Sequence, residues 1–264
     1  MAIAGLDNLL AAQLDQVGYQ KTASRTAVAA IPFSVFDQAG SPGAGTLAVG
    51  NTANGVVPTD ATAGYPSIRN FQGGASGRLS RVEFSNTVAC RITVYDTLFS
   101  AGAYSFNSDV TLASQPSFAG RVPDGNYSNL ELWLEAVTAF TGNQSIAVQY
   151  TDEAGNTGAT TGTIATGVAP IVGRMLRLPL AAGDTGVQKI ERVTSSVSTA
   201  GTFNVHVLRR LWGGRVRIAN DGDVHDILRT GGPVVYQDSA LRYVITADST
   251  ATGLPDVTID VSSG

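Results

Sequence analysis

The chain has 264 residues, a formal net charge of −4 and 14% charged residues, a length that suits one large all-β unit or two small ones. So little charge, together with 30 glycines, excludes long surface helices and favours many short strands joined by tight turns. The acidic balance gives no general pull toward nucleic acid or anionic lipid, because such binding needs clustered cations.

A single cysteine, Cys90, excludes an internal disulfide, and its setting in Val88-Ala-Cys-Arg-Ile92 reads as a buried strand position. No stretch approaches the roughly 18 apolar residues that span a bilayer, and the N-terminus has no cationic segment ahead of an apolar run. The expectation is a chain made and kept in the cytoplasm, without a membrane partner. Lysine occurs only at Lys21 and Lys189, so the other cations are arginines, the residue type enriched at interfaces.

Residues 5 to 21 predict a helix, with Leu6, Leu9, Leu10, Leu14 and Val17 at spacings of three and four. The stripe needs a surface, either its own β domain or a neighbouring subunit. After the strand-like Ile31-Pro-Phe-Ser-Val-Phe36, residues 37 to 66 are rich in Gly, Ala, Thr and Pro without periodicity, which predicts a long loop or linker. The chain then divides into an N-terminal helix and extended arm over 1–66 and a β-sandwich domain over 67–264.

From residue 78 onward, strands are predicted at 78–84, 90–97, 129–140, 145–151, 174–180, 188–197, 203–211, 215–218, 234–237, 241–247 and 257–261. The run from Leu130 to Phe140 also fits one helix. Segments such as Arg91-Ile-Thr-Val-Tyr95 alternate apolar with polar, so one face is buried and the other exposed. The expected fold is all-β: a two-sheet antiparallel sandwich, jelly-roll-like, with an N-terminal helix and extended arm.

Chemistry-bearing residues are sparse. His206, opposite in parity to Val205 and Val207, reads as a solvent-facing or interface residue, and His225 sits in Asn220-Asp-Gly-Asp-Val-His-Asp226. Asp221, Asp223, His225 and Asp226 are the densest set of potential cation ligands, though an Asn-Asp-Gly-Asp run is also ordinary turn composition. The spacings of a calcium hand and of catalytic zinc are both missing. Gly73-Gly-Ala-Ser-Gly77 lacks one residue of a nucleophile elbow, and Glu131 with Glu135 is the kind of carboxylate pair that any β protein offers. Trp133, Trp212, Tyr127 and Tyr104 are the aromatics on which a sugar would stack. Trp133 reads as core, whereas Trp212, before Gly213-Gly214, fits either a core lid or an interface anchor. No catalytic residue and no cofactor are expected.

Three segments carry a resemblance: Val94-Tyr-Asp-Thr-Leu98, Gln149-Tyr-Thr-Asp-Glu-Ala-Gly155, and Gly173-Arg-Met through Arg210 with its internal Leu180-Ala-Ala-Gly-Asp-Thr-Gly-Val187. Over residues 78 to 211 the chain resembles virion structural proteins of tailed bacteriophages. The resemblance implies a non-enzymatic, head-associated accessory or decoration protein in the capsid, bound to the major capsid protein and other virion proteins. The absence of disulfides, the arginine bias and Arg209-Arg210 directly before Trp212 point to a homo-oligomer, and analogy with other β-sandwich virion components makes a trimer the favoured order. Contacts are expected at Leu6, Leu9, Leu10 and Leu14 of the arm and at Arg209, Arg210 and Trp212. A carbohydrate-binding adhesin or fibre module is the alternative.

Overall fold

The computed structural model describes residues 5, 7–8, 12–69, 71, 74, 76–141, 143–167, 171–196 and 200–263. In chain order the strands are β1 (Gln13–Lys21), β2 (Pro32–Ser34), β3 (Gly40–Ser41), β4 (Asn51–Val56), β5 (Ser76–Asn86), β6 (Cys90–Ser105), β7 (Asp109–Thr111), β8 (Leu130–Ala136) and β9 (Ser145–Asp152). They continue as β10 (Ala159–Thr160), β11 (Ile164–Ala165), β12 (Met175–Leu178), β13 (Val187–Ser195), β14 (Thr202–Val216), β15 (Asp221–His225), β16 (Val234–Tyr236), β17 (Leu241–Ala247) and β18 (Asp256–Ser263). One helical turn, α1 (Ile227–Thr230), follows β15.

The strands form three antiparallel sheets. The first runs β15-β5-β18-β1-β3 with β16 beside β5; the central one runs β12-β8-β14-β6-β17-β2 with β4 added to β6; the third runs β10-β9-β13-β7 with β11 on β9. The sandwich expectation therefore holds, with two sheets packed on a shared third. The run at 130–136 is a strand, paired on both sides with β12 and β14.

The central sheet curls until its edges meet. Phe33 of β2 bridges Arg174, and the Ser34 N–H donates to the Gly173 carbonyl at 2.7 Å. Gly173 has φ +76, and a Cβ there would lie 2.5 Å from the Arg25 guanidinium carbon, so the seam needs a glycine. Strand alternation then sorts the residues. Leu132, Leu134, Val205 and Val207 face outward and pack with Val148, Tyr150, Ile190 and Val193 of the third sheet. Ile92, Val94, Trp212, Tyr243 and Ile245 pack with Tyr19, Val82, Phe84 and Ile259 of the first. Tyr95, Trp133, Met175, Leu208 and Val244 come from five different strands and cluster on the inner side.

Two expectations are corrected here. Residues 13–21 are a strand and not a helix: Asp15, Val17, Tyr19 and Lys21 are buried while Gln16, Gly18 and Gln20 are exposed, a period of two. β1 pairs with β18 along its length and with β3 at its end. Ladder bonds and burial of Val17 and Tyr19 override a leucine spacing that a short helix alone cannot stabilise. Leu6, Leu9 and Leu10 lie outside the described residues.

Nor does residue 66 mark a break, since β1 through β4 all pair with strands from residue 90 onward or with each other. The 37–66 segment is packed on the body: Phe36, Leu47, Tyr65 and Ala240 form one apolar cluster. Its glycines serve close approach, because a Cβ on Gly45 would stand 2.3 Å from the Phe36 ring.

Candidate functional site

The three residues expected at a contact on β14 separate. The ladder between β14 and β6 shifts register between Arg210 and Trp212, a bulge that turns both Leu211 and Trp212 to the core. Trp212 is 4% exposed, with its ring edge-on to Phe84 and His225 and its Nε1 donating to His225 Nδ1 at 3.0 Å. Arg209 is buried too, its Nη2 donating to Asp96 Oδ2 at 3.1 Å. Asp96 also accepts from Arg121, Ser239 Oγ and the Ala240 N–H. Arg210 is exposed, and Leu14 is 57% exposed on the outer side of β1. Trp212 and Arg209 are core residues and not surface anchors.

The carboxylates of the 221–226 run do not converge. Asp221 accepts from the Gly222 N–H, and Asp223 accepts from the Val224 N–H and reaches Arg229. Asp226 caps α1, taking the N–H groups of Leu228 and Arg229. His225 Nδ1 accepts from Trp212, which leaves the proton on Nε2, 3.5 Å from Asp223. Among the described residues no group of three or more His, Cys, Asp or Glu side chains could hold a metal ion.

The sugar-stacking reading loses its aromatics. Tyr104, Trp133 and Trp212 are 1%, 6% and 4% exposed, and Tyr127 is half-buried beside the Phe118 ring.

A polar chain that sequence reading missed runs through the inner side of the central sheet. Ser100 Oγ lies 2.7 Å from His206 Nδ1, His206 Nε2 lies 3.0 Å from Glu135 Oε2, and Arg242 Nη1 donates to Glu135 Oε1 at 2.7 Å. Arg242 continues to Tyr65 OH at 2.9 Å and stacks on the Phe36 ring. His206, read from parity as solvent-facing or interfacial, is fully buried, because the inward face of a closed sheet is interior whatever its polarity. Signals were present in the sequence: Glu135 and His206 interrupt apolar strands. Their partners lie 71 and more residues away.

A cavity of about 230 Å³ beneath residues 46–65 touches Ser100 and Arg242. The chain has the connectivity of a nucleophile, base and acid, but its electrostatics oppose that use. Burial and the Arg242 charge hold the His206 imidazole below its ordinary basicity, so it is a poor acceptor for the Ser100 proton. Burial pulls the Glu135 carboxyl upward, and Arg242 with His206 outweighs it, setting the group at about 2.

The remaining feature is an open cleft of about 290 Å³ lined by Arg91, Arg210, Gly213, Gly214, Arg215, Arg217, Asp223, His225 and Arg229. Five arginines against one carboxylate make a local cationic site in a chain of net charge −4. The overall balance concealed this clustering.

No family model matches the chain, and no curated protein does. Among solved structures, a structure of infectious bursal disease virus, Gx strain, is similar at 9% identity with a TM-score of 0.15, covering 95% of this chain and 80% of that one. A mutant VP2 protein of infectious bursal disease virus, in derived T=1 particles, is similar at 9% identity with a TM-score of 0.16, covering 95% and 77%. Similarity at that level carries no argument about fold or function.

Proposed function

We propose that the protein is a non-enzymatic structural component of a bacteriophage virion, a capsid accessory or decoration protein that binds major capsid subunits as a homo-oligomer, with a trimer as the favoured order. One observation carries the reading: the three segments that resemble phage virion proteins are the framework of this fold. Val94–Leu98 lies in β6, Gln149–Gly155 ends β9 and forms its turn, and Gly173–Arg210 runs through β12, β13 and most of β14. Asp96, inside the first segment, is the acceptor that joins Arg121, Arg209 and Ser239 between the two outward cores. Such a scaffold suits a part that is repeated over a particle, where a modest contact per copy acts many times.

The test is a subunit-resolution reconstruction of purified particles, with mass spectrometry of the same preparation. A fixed copy number at one symmetry-related position is expected, and absence from purified particles overturns the proposal. Treatment with a fluorophosphonate probe checks the non-enzymatic part. Ser100 should stay unlabelled, and labelling lost in Ser100→Ala would make the buried chain a working nucleophile.

A further inference from the structure

We propose that the edge of β14 from Arg210 to Val216 takes an extended acidic segment of another polypeptide as an added strand. β8 stops pairing with β14 at Arg209, opposite Leu130, whereas β6 continues to Val216, opposite Cys90. Among the described residues no strand occupies the other side of 210–216, so its outward N–H and C=O groups form an open edge, the template for strand addition.

The arginine cleft lies along this edge. Arg91 stands directly across from Arg215 on the neighbouring strand, an arrangement of like charges that destabilises an isolated sheet. Arg215 reaches Asp248 at 3.3 Å and Arg229 reaches Asp223 at 3.4 Å. Arg91, Arg210 and Arg217 form no ion pair among the described residues. A ligand with several carboxylates relieves the repulsion, because the guanidinium fork matches a carboxylate in two parallel bonds.

Two features select a polypeptide over a nucleic acid. The lining has no Trp, Tyr or Phe on which bases stack. The strand edge also offers donors and acceptors in alternation, which a peptide backbone answers on both counts and a phosphodiester only as acceptor.

The inference goes beyond the virion reading and does not depend on it. Its test is fluorescence anisotropy with three labelled probes: a peptide of about eight residues alternating Glu and Thr, one of equal length alternating Glu and Pro, and an oligothymidylate of equal charge. The Glu-Thr peptide should bind at least about tenfold more tightly than the Glu-Pro peptide, which lacks alternate N–H donors, and more tightly than the oligothymidylate. Replacing both exposed arginines, Arg91→Ser with Arg217→Ser, should weaken Glu-Thr binding about tenfold or more without lowering the melting temperature, since the substitution also removes the Arg91–Arg215 repulsion. Equal affinity for the two peptides, tighter binding of the oligothymidylate, indifference to the double substitution or no binding at all would each overturn the inference.

Discussion

Glu135 stays ionised at full burial because donors and cations surround it: Arg242 at 2.7 Å, His206 at 3.0 Å, Asn204 at 3.5 Å and the Ser34 hydroxyl. A buried charge keeps its site only when paired and hydrogen-bonded, and removing one partner strands the other. Glu135→Gln should therefore cost about 3–5 kcal/mol of stability in a urea melt, since Arg242 would be left uncompensated in the interior. The same chain sets the acid response. The Glu135 carboxyl is held at about 2, below its unfolded value, so its contribution is complete above the unfolded value and lost as pH falls toward 2. The His206 imidazole is also lowered, so below about 6.5 the unfolded chain binds a proton that the folded chain refuses. Both groups act in one direction. Stability should fall monotonically from neutral pH into acid, beginning below about 6.5, and His206→Gln should flatten the upper part of that curve.

At the scale of elements, the glycine-rich segment from 37 to 66 acts as a cover. Tyr65 OH accepts from Arg242, the Leu47 carbonyl accepts from Asn204 Nδ2 at 2.6 Å, and Asp60 takes the Ile68 N–H. The first two bonds tie the cover to the polar chain beneath it and the third closes the segment on the chain that follows, so opening the segment would expose buried charge. Limited proteolysis of the folded protein should spare residues 37–66 as well as it spares β6 and β14, and Tyr65→Phe should make the segment cleavable by leaving an Arg242 donor without its partner. Preferential cleavage of the unsubstituted protein between 37 and 66 would show that the packing seen here is not the solution state.

Across the whole molecule, one sheet supports two cores. β6 and β14 are long enough to carry Leu98, Phe99 and Val205 into the core shared with the third sheet, and Val94, Leu211 and Trp212 into the core shared with the first. Neither core survives without the strands of the other, which predicts a single cooperative transition. Calorimetric and van't Hoff enthalpies should agree within error. Two resolved transitions would mean that the cores fold as separate units.

The sequence by itself determined the all-β class and the antiparallel alternation, because a period of two is written locally in segments such as Arg91 to Tyr95 and Asp256 to Val261. Most strand positions after residue 78 follow from the same local signal. Tertiary structure alone decided which face of a strand became interior and which segments pair across the chain, and these two decisions account for the corrections made above. Trp212 turns inward through a bulge, which depends on pairing and not on composition. His206 and Glu135 are buried because the central sheet closes at Gly173, far from both in the chain. Residues 13–21 became a strand because β18, at the other end of the sequence, supplies the ladder. The arginine cleft gathers residues from β6, β14, β15 and α1, so net charge, a sum without positions, had no means of revealing it.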